Sequence, residues 1–277
     1  MPTSPIQLDP AHLGMVRTAA EISSESIEEC NRLLQKNHEE YHMFFRDVGG
    51  HNHIVHSLLT VLALGASPQE LQARYDDGTP IQRPIPSIDE DLLEKLSANP
   101  EEVLHAHIGE ITQYHTFLEF FKRQIARDGM RAAVLRYVFA RTPVADEMLA
   151  RMYEGAYHPI IHLGLGLEFV QPALVAEALA QAAAHDDSHI GKLFRSAEAE
   201  AASAYPPRAG SGKKRPFKSM MALLGEVRDS DAVRSAPQWS DFGAKMRNGI
   251  VGRALEPMST IASQFRIHLG PGRGGTR

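Results

Sequence analysis

The chain holds a single cysteine, Cys30, so no internal disulfide can staple it, and this usage is compatible with a reducing compartment. No apolar run approaches the ~20 residues that a bilayer span requires. Basic residues are not in excess: 29 Lys and Arg face 34 Asp and Glu, for a net charge of -5. A general nucleic-acid binder shows the opposite footprint. Residues 1–11 do not join a charged start to an apolar stretch, so no signal peptide is read there. Strand signals are scarce too, because no long stretch alternates apolar and polar residues with β-branched enrichment. These absences leave a helical protein expected in the cytoplasm, with neither a membrane nor a nucleic acid as partner. Its 277 residues, 43% hydrophobic and 23% charged, are ample for a buried core.

What is present is helix punctuation. Ser26 with Glu29 has capping-box spacing, and Ile27, Cys30, Leu33, Leu34 and Tyr41 follow on one helical face. Residues 51–64 read as a second helix closed by Gly65. Ser67, Pro68 and Glu70 mark the next start, and Ser87 with Glu90, Asn99 with Pro100 and Thr142 with Pro143 mark others. Residues 76–86 read as a loop. Two alanine-rich segments, 173–184 and 197–204, precede a Pro/Gly-rich basic stretch. The expected fold class is all-α, an irregular multi-helix domain over 1–204. A linker is expected at 205–216, a helical segment at 217–265 and a disordered tail at 266–277.

The 14 histidines are unusual for this length. Five lie between His38 and His56. In the run GGHNHIVHSLL, His53 and His56 share a helix face and can present imidazoles to one ion, with His51 near the helix start. In YHPIIHLGLGLEF, His158 and His162 are four apart, a spacing by which helices offer two imidazoles to a metal. Pro159 cannot donate to the Gly155 carbonyl. Gly164 and Gly166 leave little side-chain bulk beside it. The plain alternative is structural histidine, the commoner fate of a lone pair at helical spacing. By their charged neighbours, His38 and His42 belong on a solvated face. His105, His107 and His115 are expected to partner carboxylates or line an interface. If one ion unites the two runs, nitrogens of His53 or His56 lie within roughly 5 Å of those on His158 and His162.

Other motifs are weaker. Glu39-x-x-His42 and Glu102-x-x-His105 match the di-iron unit but sit in charged turns. Gly164-x-Gly166 lacks a preceding strand, and Gly210-Ser211-Gly212-Lys213 lacks the upstream glycine of a phosphate loop. His185-Asp186 is a His-Asp dipeptide of the kind used by metal phosphohydrolases.

Two stretches, residues 37–77 and 148–187, together with QYHTFLEFF between them, resemble the questin oxidase-like family. HNHxxH and HPxxHLGxGxEF are the specific runs, and the likeness covers about residues 27–189. This resemblance implies an oxidoreductase that oxidatively opens anthraquinone-type rings in aromatic polyketide metabolism, by Baeyer–Villiger-type or dioxygenase chemistry. It implies a small aromatic substrate, O2, non-haem Fe(II) and NADPH. Carried over residue by residue, it offers His53, His56, His158 and His162 as metal ligands, with His51 and His185 in reserve. Ser57 stands where the family often has another histidine. Phe44, Phe45, Phe117, Phe120, Phe121 and Phe169 are candidates for an apolar slot, and Glu168 and Tyr157 for polar partners. The resemblance further implies a C-terminally truncated chain with weak catalysis. The alternatives are a non-catalytic helical protein and a metal-dependent hydrolase using His185 and Asp186.

Overall fold

The structure, a computed structural model, describes residues 5–13, 21–47, 50–204 and 218–265. All regular structure among these residues is helical, and the only strand-like pairings are the isolated bridges Tyr41–Pro84, Phe44–His51 and Lys218–Phe265. The expected linker at 205–216 and tail at 266–277 lie outside the described residues.

Contacts group the chain into two units, Met1–Asp187 and Ser188–Arg277. The first contains α1 (Ser24–Glu40), α2 (Ile54–Ala63), α3 (Pro68–Gly78), α4 (Glu90–Ala98), α5 (Pro100–His107) and α6 (Tyr114–Asp128). It continues with α7 (Met130–Val134), α8 (Pro143–Arg151), α9 (Glu154–Glu168) and α10 (Pro172–Ala184). The second unit contains α11 (Ile190–Ala204), α12 (Met220–Asp229), α13 (Asp231–Arg234) and α14 (Leu255–Ala262). Its small core joins Leu223, Val233, Ala236, Ala254 and Ile261.

Local chemistry accounts for several helix starts. Ser67 and Glu70 form the reciprocal capping box, with Pro68 in the first turn. Thr142 accepts from the Ala145 amide ahead of α8. The first helix starts earlier than the Ser26–Glu29 spacing predicts. Ser23 caps it by accepting from the Ser26 amide, and the Ser26 hydroxyl is spent on the Ala66 carbonyl. For α4 the cap is Asp89, which accepts from the Leu92 amide, in place of Ser87.

The centre of the first unit is α10. Every residue from Ala173 to Ala184 is buried. A helix apolar on all sides belongs inside, and its alanines let α6 and α9 pack closely against it. Gly166 serves the same packing, since a Cβ there would meet the Val175 amide nitrogen at 2.8 Å. The one carboxylate in this helix is Glu177, 1% exposed.

Candidate functional site

Three segments carry the candidate histidines to one place. The first is the turn before α2. Phe44 and His51 form an isolated bridge, and the Phe45 amide donates to the Gly50 carbonyl at 3.0 Å. This places His51 in the wall, His53 at the N-cap of α2 and His56 in its first turn. The second is α9, where Gly155, Ala156 and Tyr157 adopt left-handed backbone at φ 53°, 59° and 70°. Such a turn costs about 1–2 kcal/mol for each L-residue. It aims His158 and His162 back toward α2, and the Gly155 carbonyl that Pro159 deprives of a helical donor accepts instead from His158 Nδ1. Only glycine fits at 155, because a Cβ would collide with the rings of His51 and His185. The third is the end of α10, which supplies Glu177 and, as its C-cap, His185.

The rings meet in pairs. His53 Nε2 lies 2.6 Å from His158 Nε2, and His56 Nε2 lies 3.2 Å from His162 Nδ1. His51 Nε2 lies 3.0 Å from His185 Nε2, and the His51 ring stacks on His158 with centroids 4.2 Å apart. His185 is therefore not remote from the other clusters. Among the described residues no three His, Cys, Asp or Glu side chains converge as a ready-made metal set.

One nitrogen of each outer ring is fixed by an oxygen acceptor. His158 Nδ1 faces the Gly155 carbonyl. His162 Nε2 lies 2.6 Å from Glu177 Oε2, and His185 Nδ1 lies 2.8 Å from Asp186 Oδ1. Each acceptor assigns the proton to that nitrogen, so in the neutral ring the other nitrogen turns a lone pair to its partner histidine. Burial, reinforced by neighbouring imidazoles, pulls His51 down to about 3 and His56 to about 2. Burial also lowers His158. These rings are neutral at physiological pH. His158, neutral and with its Nδ1–H on the Gly155 carbonyl, is the kind of imidazole a divalent first-row metal takes, and His51 and His56 bring further neutral ring nitrogens, so the donor chemistry fits such an ion.

Glu177 and His38 were not legible as site residues. His38 is not on a solvated face: it is buried, and its Nδ1 lies 2.6 Å from Glu177 Oε1. His42 is buried as well, and its Nδ1 accepts from the Phe44 amide. His38 turns inward because it continues the apolar stripe of α1, one turn after Leu34. Glu177 thus bridges His38 and His162. Burial alone would raise its carboxyl, but the hydrogen bonds from His162 and His38 outweigh it and hold Glu177 below the usual carboxylate range. Its signal was a lone charge in an alanine-rich helix, which is costly to bury without partners.

The aromatic slot is mostly core. Phe117, Phe120 and Phe121 are fully buried, the latter two packed edge-on against Tyr137. Phe44 alone of the six packs against the array, its ring tilted to His51 and edge-on to His185. Tyr157 is half exposed and meets Tyr153. His105 and His107 pair with Glu147 and Glu110, while His115 bonds the Pro86 carbonyl.

The sequence model of the family described as Questin oxidase-like matches residues 50–271, well beyond the 27–189 stretch in which histidine motifs made the likeness visible. A Baeyer-Villiger monooxygenase, dmxR6, of Cryptosporiopsis sp. (strain 8999) is 64% identical over 267 residues, 96% of this chain and 58% of that protein. The Baeyer-Villiger oxidase AgnL3 of Paecilomyces divaricatus is 58% identical over 264 residues, 95% of this chain and 55% of its own length. A questin oxidase of Aspergillus terreus is 43% identical over 263 residues, 95% of this chain and 56% of that protein. The chain thus spans between 55% and 58% of the length of these curated relatives.

Proposed function

The chain belongs to the questin oxidase-like family, and from that premise we propose that its histidine array holds a non-haem Fe(II) used with O2 to open an aromatic polyketide ring oxidatively. The observation that supports this reading is the meeting of two motifs about a hundred residues apart in sequence, His53 with His158 and His56 with His162. Those four would hold the metal, with His51 and His185 beside them. An iron bound by imidazoles with open positions supplies one-electron and O2 chemistry.

The protein's own part is orientation. Glu177 fixes the His162 ring by holding its Nε2–H, and the Gly155 carbonyl fixes His158 the same way. Phe44 closes one side of the array with carbon, which keeps water from His51 and His185. The substrate enters at His53, the one exposed imidazole of the array. NADPH is the proposed reductant. The described residues contain no strand leading a Gly-rich turn into a helix, so no residue is assigned to it. No helix among the described residues is long and apolar enough to cross a membrane, and a cytoplasmic location belongs to the same proposal.

The test is O2 uptake. The full chain, loaded with Fe(II), should consume O2 only when a hydroxylated anthraquinone is added, and His162→Ala should abolish it. Uptake that ignores either the substrate or His162 would contradict the reading.

A further inference from the structure

Resting on that reading, we propose that the Gln181 carboxamide is the hydrogen-bonding wall of a buried site beside the histidine array, a site that takes a small oxygen-bearing ligand of the size of O2. Gln181 is 0% exposed, and neither its amide nitrogen nor its amide oxygen has a hydrogen-bond partner. Among the described residues no other carboxamide is buried with both polar atoms unpaired. Buried polar groups are otherwise satisfied, because an unpaired one destabilises the fold. Apart from Glu177, every other residue of α10 is alanine, leucine, valine or proline, so an apolar side chain at 181 would pack without that loss. A glutamine kept there points to a partner from outside the chain.

Helical register says where that partner lies. Glu177, Gln181 and His185 follow at intervals of four, and the His185 amide still donates to the Gln181 carbonyl at 3.1 Å, so the three share one face. Both ends of this stripe touch the array. Glu177 Oε2 lies 2.6 Å from His162 Nε2, and His185 Nε2 lies 3.0 Å from His51 Nε2. Gln181 stands midway, about 6 Å along the axis from each. Its side chain has the length of a glutamate's, so its amide reaches as deep as the carboxylate that holds His162. The neighbours on the stripe are already engaged. Glu177 gives one oxygen to His38 and the other to His162, while His185 Nδ1 lies 2.8 Å from Asp186 Oδ1 and its Nε2 faces His51. A carboxamide offers two N–H donors and an acceptor oxygen, and it stays uncharged. Its N–H groups can hold the oxygen end of a neutral ligand. Full burial suits a diatomic or a water rather than an aromatic ring, which separates this site from the exposed His53.

The experiment compares the full chain with Gln181→Met, a volume-conserving change that removes the amide. Both are loaded anaerobically with Fe(II) and their iron is measured. Nitric oxide, an uncharged diatomic with an oxygen end, is the probe. Gln181→Met should keep the parent's iron, since the amide is not a ligand to the metal. Its N–O stretching band should move to higher frequency, and nitric oxide should leave about fivefold faster, the loss of one hydrogen bond. The metal-free variant should unfold at the parent's temperature or higher, because Gln181 has no partner there to lose. An unchanged N–O band and release rate in chains that hold iron overturns the Gln181 site and leaves the metal reading standing. A lower unfolding temperature for the metal-free variant shows a partner within the chain, and a fall in iron shows a metal ligand; either result overturns the proposal. A parent that takes up no iron overturns the metal reading, and the Gln181 site with it.

Discussion

The histidine array has two unlike ends. At one, His53 and His158 meet near solvent, and His158 Nδ1 is held by the Gly155 carbonyl. At the other, His162, Glu177 and His38 form a chain in which each side chain is less than a tenth exposed. The ring nitrogens stand 2.6 Å apart in the His53–His158 pair and 3.2 Å apart in the His56–His162 pair, and of these two pairs the second is the one held by a carboxylate, Glu177. The lesson is a division of labour. The buried end depends on its anchor, whose loss leaves two N–H groups unsatisfied in the interior, whereas His53 at the open end is exposed.

The largest test of that contrast is Glu177→Leu. It should cost about 3–5 kcal/mol in urea unfolding, because two buried imidazoles lose their acceptor. His53→Ala at the open end should cost less than about 1 kcal/mol. Similar losses would erase the distinction. Next is the left-handed turn that joins the ends. Gly155→Ala should destabilise by about 2–4 kcal/mol in thermal unfolding, from a Cβ at positive φ driven into His51 and His185.

Acid should act in the same direction at both ends. The folded protein keeps His51 and His56 below their ordinary 6.5, so their contribution is complete above that pH and is lost as pH falls toward about 3. Glu177, lowered from 4.5, contributes above that value and loses its contribution below it. Stability should be flat above pH 7 and should fall below 6.5 by about 1 kcal/mol or more per unit. A maximum near pH 5 would contradict the neutral assignment. The smallest effect is Gly164→Ala on the open face of α9, expected to stabilise by about 0.5–1 kcal/mol. Its sign opposite to that of Gly155→Ala would show that the turn, and not glycine in general, is what the site requires.

The two ends were also unequally legible. His53, His56, His158 and His162 stand in motifs whose spacing is visible along the chain, and helix starts such as Ser67-Pro68-Glu70 were correct to the residue. All-helical structure followed from missing strand alternation. Glu177 stood out only as a lone charge in an alanine-rich helix, and its partners stayed hidden because they come from α1 and α9. His38 misled because Glu39 and Glu40 suggested solvent, while its register with Leu34 pointed inward. Pro159 announced a break in α9, but not that three left-handed residues would precede it. The phenylalanines read as a slot because core and pocket use the same side chains, and only packing separates Phe44 from Phe120.

The central claim is that two distant histidine motifs make one metal centre, and iron retained per chain tests it most directly. The full chain, loaded anaerobically with Fe(II) and desalted, should keep a near-stoichiometric amount. The double variant His56→Ala/His162→Ala should keep almost none, and His38→Ala, which acts only through Glu177, should fall between. A parent chain that retains no iron, or a double variant that retains as much as the parent, would contradict the account.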